Sequence, residues 1–317
     1  MIGLISYFSD GIENVIFKNA TETNAPILKG LGMVSSAQWG DIDQDGDLDL
    51  VVVGEWMPLT ILENVDGQLT NSTKKASLDR QTGWWYGLKM HDFDSDGDLD
   101  FIAGNLGKNY KYQASPEEPF EVYAKDFDEN GSLDIVLSYY EKGKLYPLRG
   151  RQCSSDQMPF IKKKFPSYNE FGAADLSMVY GKEALENALH KQAETFASVY
   201  VENLGDFKFK IHELDPLVQL SSVNSILVDD FNKDGNADAL LAGNLYQAEV
   251  ETTRNDASYG TVLLGNGKGK FTAMMPAESG LFVKGDVKQA SILRSSSGEK
   301  RFLFAKNDAP IQAVDLN

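Results

Sequence analysis

The chain has 317 residues, 42% of them hydrophobic, a formal net charge of −17 and a single cysteine. That length and apolar content can bury a large core, as two average domains or as one repeat architecture. One Cys excludes an internal disulfide and a thiolate metal cluster, no strongly basic face is indicated for a nucleic-acid backbone, and no apolar run reaches the ~18 residues of a transmembrane helix.

In chain order, residues 2–8 are too short for a membrane span and lack the positive flank of a signal peptide. Residues 14–17 read as the last strand of a unit whose beginning is absent. Residues 37–39 then lead into an acidic loop, 41–49, followed by the apolar run 50–53. The pattern returns as 86–90, loop 92–100 and run 101–103; as 121–124, loop 126–134 and run 135–137; and as 225–228, loop 230–238 and run 239–242. Short apolar runs bounded by turn residues predict buried strands. Residues 59–62 with 68–70, 198–201 with 207–209, and 261–264 with 270–272 are joined by Gly- and Asn-containing connections, which is hairpin chemistry. Between 147 and 195 the strand pattern stops, and Leu185 and Leu189 at i, i+4 predict an amphipathic helix over 177–192. Residues 285–293, 301–305 and 311–314 form three strands without a fourth, which 14–17 could supply to close a ring.

The loops carry the clearest chemistry. Oxygen side chains recur at positions 1, 3, 5 and 9, with Gly at position 6. Alternate residues of a tight loop turn oxygens inward, and Gly permits the sharp bend, which suits Ca2+. An EF-hand is excluded, because position 12 is Val52, Ala103, Leu137 or Leu241 instead of a bidentate Glu. Mg2+ keeps several waters and fits an all-protein cage poorly. The four loops hold sixteen Asp, about a third of the 47 acidic residues, so the acidity is largely ligand chemistry. Asp286 stands where a further loop would begin, but Lys288 and Ala290 replace its next ligands.

Strand-only repeats of ~40–50 residues predict a β-propeller with about four strands per blade. The expectation is one all-β domain over 1–317, with about five four-stranded blades and a helical insertion at 147–195. Two arrangements stand: a closed ring, or a fragment of a larger propeller of roughly seven blades. Loop 126–134, only 34 residues after the second, could instead be a hairpin within the second blade.

No nucleophile elbow, Walker loop or HExxH motif is present, and His91, His190 and His212 form no spacing pattern. Trp39, beside the first loop, reads as core. Trp56, Trp84 and Trp85 follow glycines and are candidates for a ligand-contacting rim, as are Arg254 and Asp256 in the long connection 244–259.

Each acidic loop followed by an apolar strand, and later by a Gly-rich hairpin ending in Phe, resembles the FG-GAP/VCBS repeats of integrin α-subunits and many secreted bacterial proteins. Residues 54–58, 83–85, 104–105, 157–159, 243–244 and 256–257 further resemble the C-terminal half of Bacteroidetes-type repeat proteins related to cartilage acidic protein, which often carry an ASPIC/UnbV segment. The resemblance implies an extracytoplasmic location as part of a larger exported chain, up to four structural Ca2+, and binding or adhesion without catalysis. Its motif maps onto Asp41, Asp43, Asp45, Asp47 (carbonyl) and Asp49, and onto Asp92, Asp94, Asp96, Asp98 (carbonyl) and Asp100. It also maps onto Asp126, Asp128, Asn130, Ser132 and Asp134, and onto Asp230, Asn232, Asp234, Asn236 and Asp238. Amides at Asn130 and Asn232 remove a ligand charge, so the third and fourth loops are expected to bind more weakly. The expected partner is a protein or a glycan; the alternatives are a carbohydrate-active propeller such as a polysaccharide lyase, or a purely structural module.

Overall fold

A computed structural model describes residues 21, 25–248 and 252–316. The predicted strand at 14–17, and with it the proposed ring closure, lies outside the described residues.

The first sheet is antiparallel, with strands β1 (Met33–Gly40), β2 (Asp49–Met57), β3 (Thr60–Val65) and β4 (Gln68–Asn71) in order. A two-residue strand, β5 (Gly83–Trp84), adds to the far end of β2. The chain continues through β6 (Gly87–His91) and β7 (Asp100–Gly104), and then departs. It builds a separate sheet from β8 (Phe120–Lys125), β9 (Asp134–Glu141), β10 (Lys144–Pro147) and β11 (Leu189–Ala193), in the order β10-β9-β8-β11. Only then do β12 (Val199–Asn203) and β13 (Phe209–Glu213) return to complete the second sheet, β13-β12-β7-β6. The third acidic loop is therefore neither the next blade in series nor a hairpin of the second blade. It belongs to a sheet inserted between the second and third strands of that blade.

The regular pattern resumes with β14 (Val223–Asp229), β15 (Asp238–Gly243), β16 (Thr261–Gly265) and β17 (Phe271–Met274), and ends with three strands, β18 (Asp286–Arg294), β19 (Lys300–Asn307) and β20 (Ala309–Asp315). First strands lie side by side in the order β1, β6, β14, β18. The fold is thus all-β, an arc of four propeller-type blades with one sheet inserted. Asp286 is the first residue of β18, so no acidic loop can start there; the place equivalent to the loops is the turn between β18 and β19.

The apolar runs after the first, second and fourth loops form the core because they are second strands covered on both faces, whereas in the run after the third loop Ile135 is exposed. Val51, Val53, Phe101 and Ala103 pack with Val199 and Val201 between the first two blades. Ile102, Tyr200, Ala239, Leu241 and Leu263 fill the next gap, and Leu240, Ala242, Val287, Phe302 and Phe304 the last. The outer face of the first blade is covered by Ile27, Leu28 and Leu31, which pack on Leu50, Val52 and Met57. Trp39 is 43% exposed rather than core, because β1 presents it away from these layers.

The helical region is shorter and more broken than its pattern suggests. Helices Arg151–Gln157, Phe160–Lys164, Tyr168–Gly172, Leu176–Tyr180 and Lys182–Glu186 cover one face of the inserted sheet. The helix expected over 177–192 is interrupted at Gly181, whose φ of 87° is left-handed, and its second half is β11. Leu189 pairs with Ala124 there and is exposed, so the i, i+4 spacing with Leu185 was coincidental. Among the described residues no helix is long and apolar enough to cross a membrane.

Candidate metal centres and ligand surface

All four acidic loops lie between a first and a second strand and share one backbone shape. Position 4 is left-handed without being Gly, at Gln44 (φ 61°), Ser95 (64°), Glu129 (58°) and Lys233 (62°). Position 6 is left-handed Gly, with φ between 87° and 99°. These two reversals bring the position 6 N–H onto the position 1 carboxylate: Gly46 donates to Asp41 at 3.1 Å, Gly97 to Asp92 at 3.1 Å, Gly131 to Asp126 at 2.8 Å and Gly235 to Asp230 at 3.0 Å. One step on, the position 7 N–H donates to the position 5 side chain, from Asp47 to Asp45, Asp98 to Asp96, Ser132 to Asn130 and Asn236 to Asp234. This bond uses the backbone of position 7, so it forms with Ser132 or Asn236 there as it does with Asp47 and Asp98.

Position 9 does something its spacing did not disclose. Asp49, Asp100, Asp134 and Asp238 are buried, each accepting the N–H of its loop's second residue, Ile42, Phe93, Phe127 or Phe231, at 2.8–3.1 Å. In three of them the other oxygen accepts an N–H from the third strand or its end, Asn64, Asn203 or Gly265, each at 2.8 Å. The carboxylate thus rivets the loop to its blade. In the inserted sheet that place is taken by a side chain: Gln157 of helix Arg151–Gln157 donates to Asp134 at 3.2 Å.

Does the arrangement suit a hard cation? Carboxylate oxygens of Asp41, Asp43 and Asp45 lie within 4.8 Å of one another, as do those of Asp92, Asp94 and Asp96, and of Asp126, Asp128 and Asp134. Asp41 Oδ1 and Asp128 Oδ1 are buried without a hydrogen-bond partner, a costly state for a carboxylate oxygen and the state a cation would relieve. Burial, then the neighbouring Asp49 and Asp45, push the Asp43 carboxyl upward; burial and Asp96 do the same to Asp94. Burial raises Asp49 and Asp238, and it lifts Asp100 to about 6 despite hydrogen bonds from Asn203, Tyr200 and Phe93. Carboxylates crowded in this way, with Asp43 and Asp94 pushed upward, are a fitting donor set for Ca2+. In the fourth loop the Asn232 amide donates to Asp234 at 2.9 Å, and no such triad of carboxylates forms among the described residues.

The loops also touch their neighbours. Gln44 reaches from the first loop to the Gly97 carbonyl and the Asp98 carboxylate of the second. Asn203 bridges blades, donating to Ile42 O at 2.9 Å and to Leu99 O at 3.3 Å.

The candidate ligand residues divide. Trp85 is fully buried, its indole N–H donating to Gln81 O at 3.1 Å, so it is a core residue. Trp56 and Trp84 meet edge to face, with ring centroids 5.1 Å apart, where the first blade meets the inserted sheet. Trp56 stacks on Phe120, and Trp84 contacts Tyr112, Phe120 and Phe196 edge-on. Trp56 also has a left-handed φ of 58°, strain that its packing must hold. Both are partly exposed, so they offer a rim as well as a packing role. Arg254 and Asp256 are exposed on either side of buried Asn255, which pins their loop by donating to Leu106 O at 2.8 Å; the Arg254 guanidinium lies 5.0 Å from the Tyr246 ring. Leu245, paired with Asn255, packs on the aromatic cluster and is the link between the two groups.

Other organising residues entered the sequence reading only through the resemblance, or not at all. Asn105 follows Gly104 and Asn244 follows Gly243 at the ends of second strands, both buried. Asn105 donates to Thr195 O and Ala197 O, and Asn244 to Ser258 O and Gly285 O. The repeated Gly-Asn was the available signal. Glu121, buried in β8, accepts from Tyr123 OH at 2.6 Å and pairs with His190 Nε2 at 3.1 Å, a cluster that no spacing marks because β11 arrives from 69 residues away.

Among curated proteins no sequence matches this chain. A solved structure of an Agrocybe aegerita lectin, described as specifically recognising non-reducing terminal N-acetylglucosamine, is similar at 13% identity over 90% of this chain and 81% of that one, with a TM-score of 0.21. A likeness of that degree specifies neither ligand nor mechanism. Residues 41–103, which hold the first two acidic loops and the strands from β2 to β7, match the FG-GAP-like repeat family.

Proposed function

We propose that the protein is a calcium-stabilised binding module, non-enzymatic and extracytoplasmic, that presents a protein- or glycan-recognising surface. The single observation that carries the calcium part is the orphaned, buried Oδ1 of Asp41 and of Asp128 beside converging carboxylates. Asp41, Asp43, Asp45 and the Asp47 carbonyl would hold one ion; Asp92, Asp94, Asp96 and the Asp98 carbonyl a second; and Asp126, Asp128, Asn130 and Asp134 a third. When bound, Ca2+ supplies the positive charge that lets these crowded carboxylates stay ionised. The chain's own residues do the rest. Asp49, Asp100 and Asp238 rivet each loop to its third strand, so ordering a loop orders a blade.

Such loops suit extracellular calcium levels, at which modest sites stay filled. Binding surfaces on loops held by a rigid scaffold are a common division of labour, and the partly exposed Trp56 and Trp84 provide aromatic area for it. The test is thermal melting before and after chelation, then with calcium restored. A melting temperature that falls and recovers supports the reading; one that does not move overturns it.

A further inference from the structure

A cleft of about 310 Å3 opens where the chain leaves the second blade for the inserted sheet and where it comes back. Its walls are the outgoing connection, with Lys108 and Gln113, and the returning one, with Glu194 and Phe196; Arg80 and Glu213 close the sides. We propose that this cleft binds a neutral saccharide, such as the terminal sugar of a glycan. The proposal rests on the binding-module reading above and gives it a place and a ligand class.

Three features point that way. First, charge is balanced within the cleft. Arg80 lies 3.3 Å from Glu194 and Lys108 lies 2.9 Å from Glu213, so neither an anion nor a cation is favoured. Second, the lining has two characters. Ala114 and Pro116 present apolar surface over the buried Phe196 and Ala197, whereas Arg80, Gln81, Gln113 and Glu194 offer donors and acceptors. A pyranose has the same division, an apolar C–H face within a rim of hydroxyls. Third, the walls are stitched together before any ligand arrives. Glu194 and Thr195 both donate to Thr82 O, Gly107 donates to Phe196 O at 2.8 Å, and Asn105 donates to Thr195 O. Glu194 is buried, fixed by Arg80 and by the Gln192 amide at 2.8 Å. A preformed polar site loses little ordering entropy on binding.

The experiment is saturation-transfer NMR on the whole chain in millimolar calcium. Probes are methyl glycosides of glucose, galactose, mannose and their 2-acetamido forms, with glucuronate and glucosamine as charged comparators. At least one neutral glycoside should bind, more tightly than either charged sugar. Arg80→Ala and Gln113→Ala should weaken it roughly tenfold, while Lys268→Ala, on a distant hairpin, leaves it unchanged. Glu194→Gln, equal in shape, should also weaken binding, and circular dichroism checks that each variant is folded. Binding that survives Arg80→Ala and Gln113→Ala, preference for a charged sugar, or silence from every neutral glycoside overturns the proposal. Silence together with a calcium-dependent melting temperature removes the cleft and leaves the calcium-stabilised scaffold standing. Glycoside binding without any calcium effect keeps the cleft and removes the structural calcium.

Discussion

The Tyr200 hydroxyl donates to the buried carboxylate of Asp100 at 2.8 Å, joining the third strand of the second blade to the end of its acidic loop across 100 residues of sequence. The inserted sheet and its helices lie between them in the chain, so this bond helps to hold the split blade together. Tyr200→Phe keeps the ring contacts with Phe93 and Phe271 and removes only the donor. It should lower stability by roughly 1–2 kcal/mol in chemical denaturation, because a buried carboxylate oxygen loses a partner. An unchanged midpoint would show that water replaces the hydroxyl at no cost.

Calorimetric titration of chelated protein should give three calcium sites, one for each carboxylate triad, the third weaker because Asn130 stands in place of a carboxylate. Asp43→Asn and Asp128→Asn should each remove one of them. Asn232→Asp should add a fourth, since it converts an amide that donates to Asp234 into a carboxylate. At calcium a hundredfold above its dissociation constant, each site should contribute roughly 2.7 kcal/mol of stability.

Glycines should separate sharply by site. A Cβ at Gly243 would stand 1.9 Å from the Ser222 carbonyl oxygen, which belongs to the backbone and cannot swing away. Gly243→Ala should cost roughly 2–4 kcal/mol. At Gly46 nothing lies within 4 Å of a new Cβ, so Gly46→Ala should cost only the left-handed strain, about 1–2 kcal/mol. Urea unfolding of the two variants checks the difference.

Acid stability should depend on Glu121. Burial raises its carboxyl, but hydrogen bonds from His190, Tyr123 and Tyr140 outweigh burial and leave it below the usual carboxylate range. A depressed folded-state value contributes stability in full above the unfolded value, and that stability is lost as pH falls through the folded one. Glu121→Gln should therefore be less stable than wild type near neutrality by roughly 1–2 kcal/mol and should lose less on acidification below about pH 4.5. Melting curves across that range test the sign; parallel losses in both proteins would rule out the assignment.

Much was legible in the residues alone. Oxygen side chains at alternate positions with Gly at position 6 named the loops, because a tight turn leaves few ways to bring oxygens together. The apolar runs after Asp49, Asp100 and Asp238 named second strands, because a strand covered on both faces cannot alternate with polar residues; the run after Asp134 is a second strand too, but with Ile135 exposed. Pairing partners were another matter. That β7 joins β12 rather than the nearer β8, that 177–192 divides into helix and strand, and that Trp85 is core while Trp39 is exposed depend on which surfaces meet. Local pattern carries no record of contacts formed a hundred residues away. The same holds for position 9. Its spacing suggested a cation ligand, and only the tertiary structure showed that the Asp100 oxygens also accept hydrogen bonds from Phe93, Asn203 and Tyr200. A hydrogen bond is chosen by what burial brings within reach.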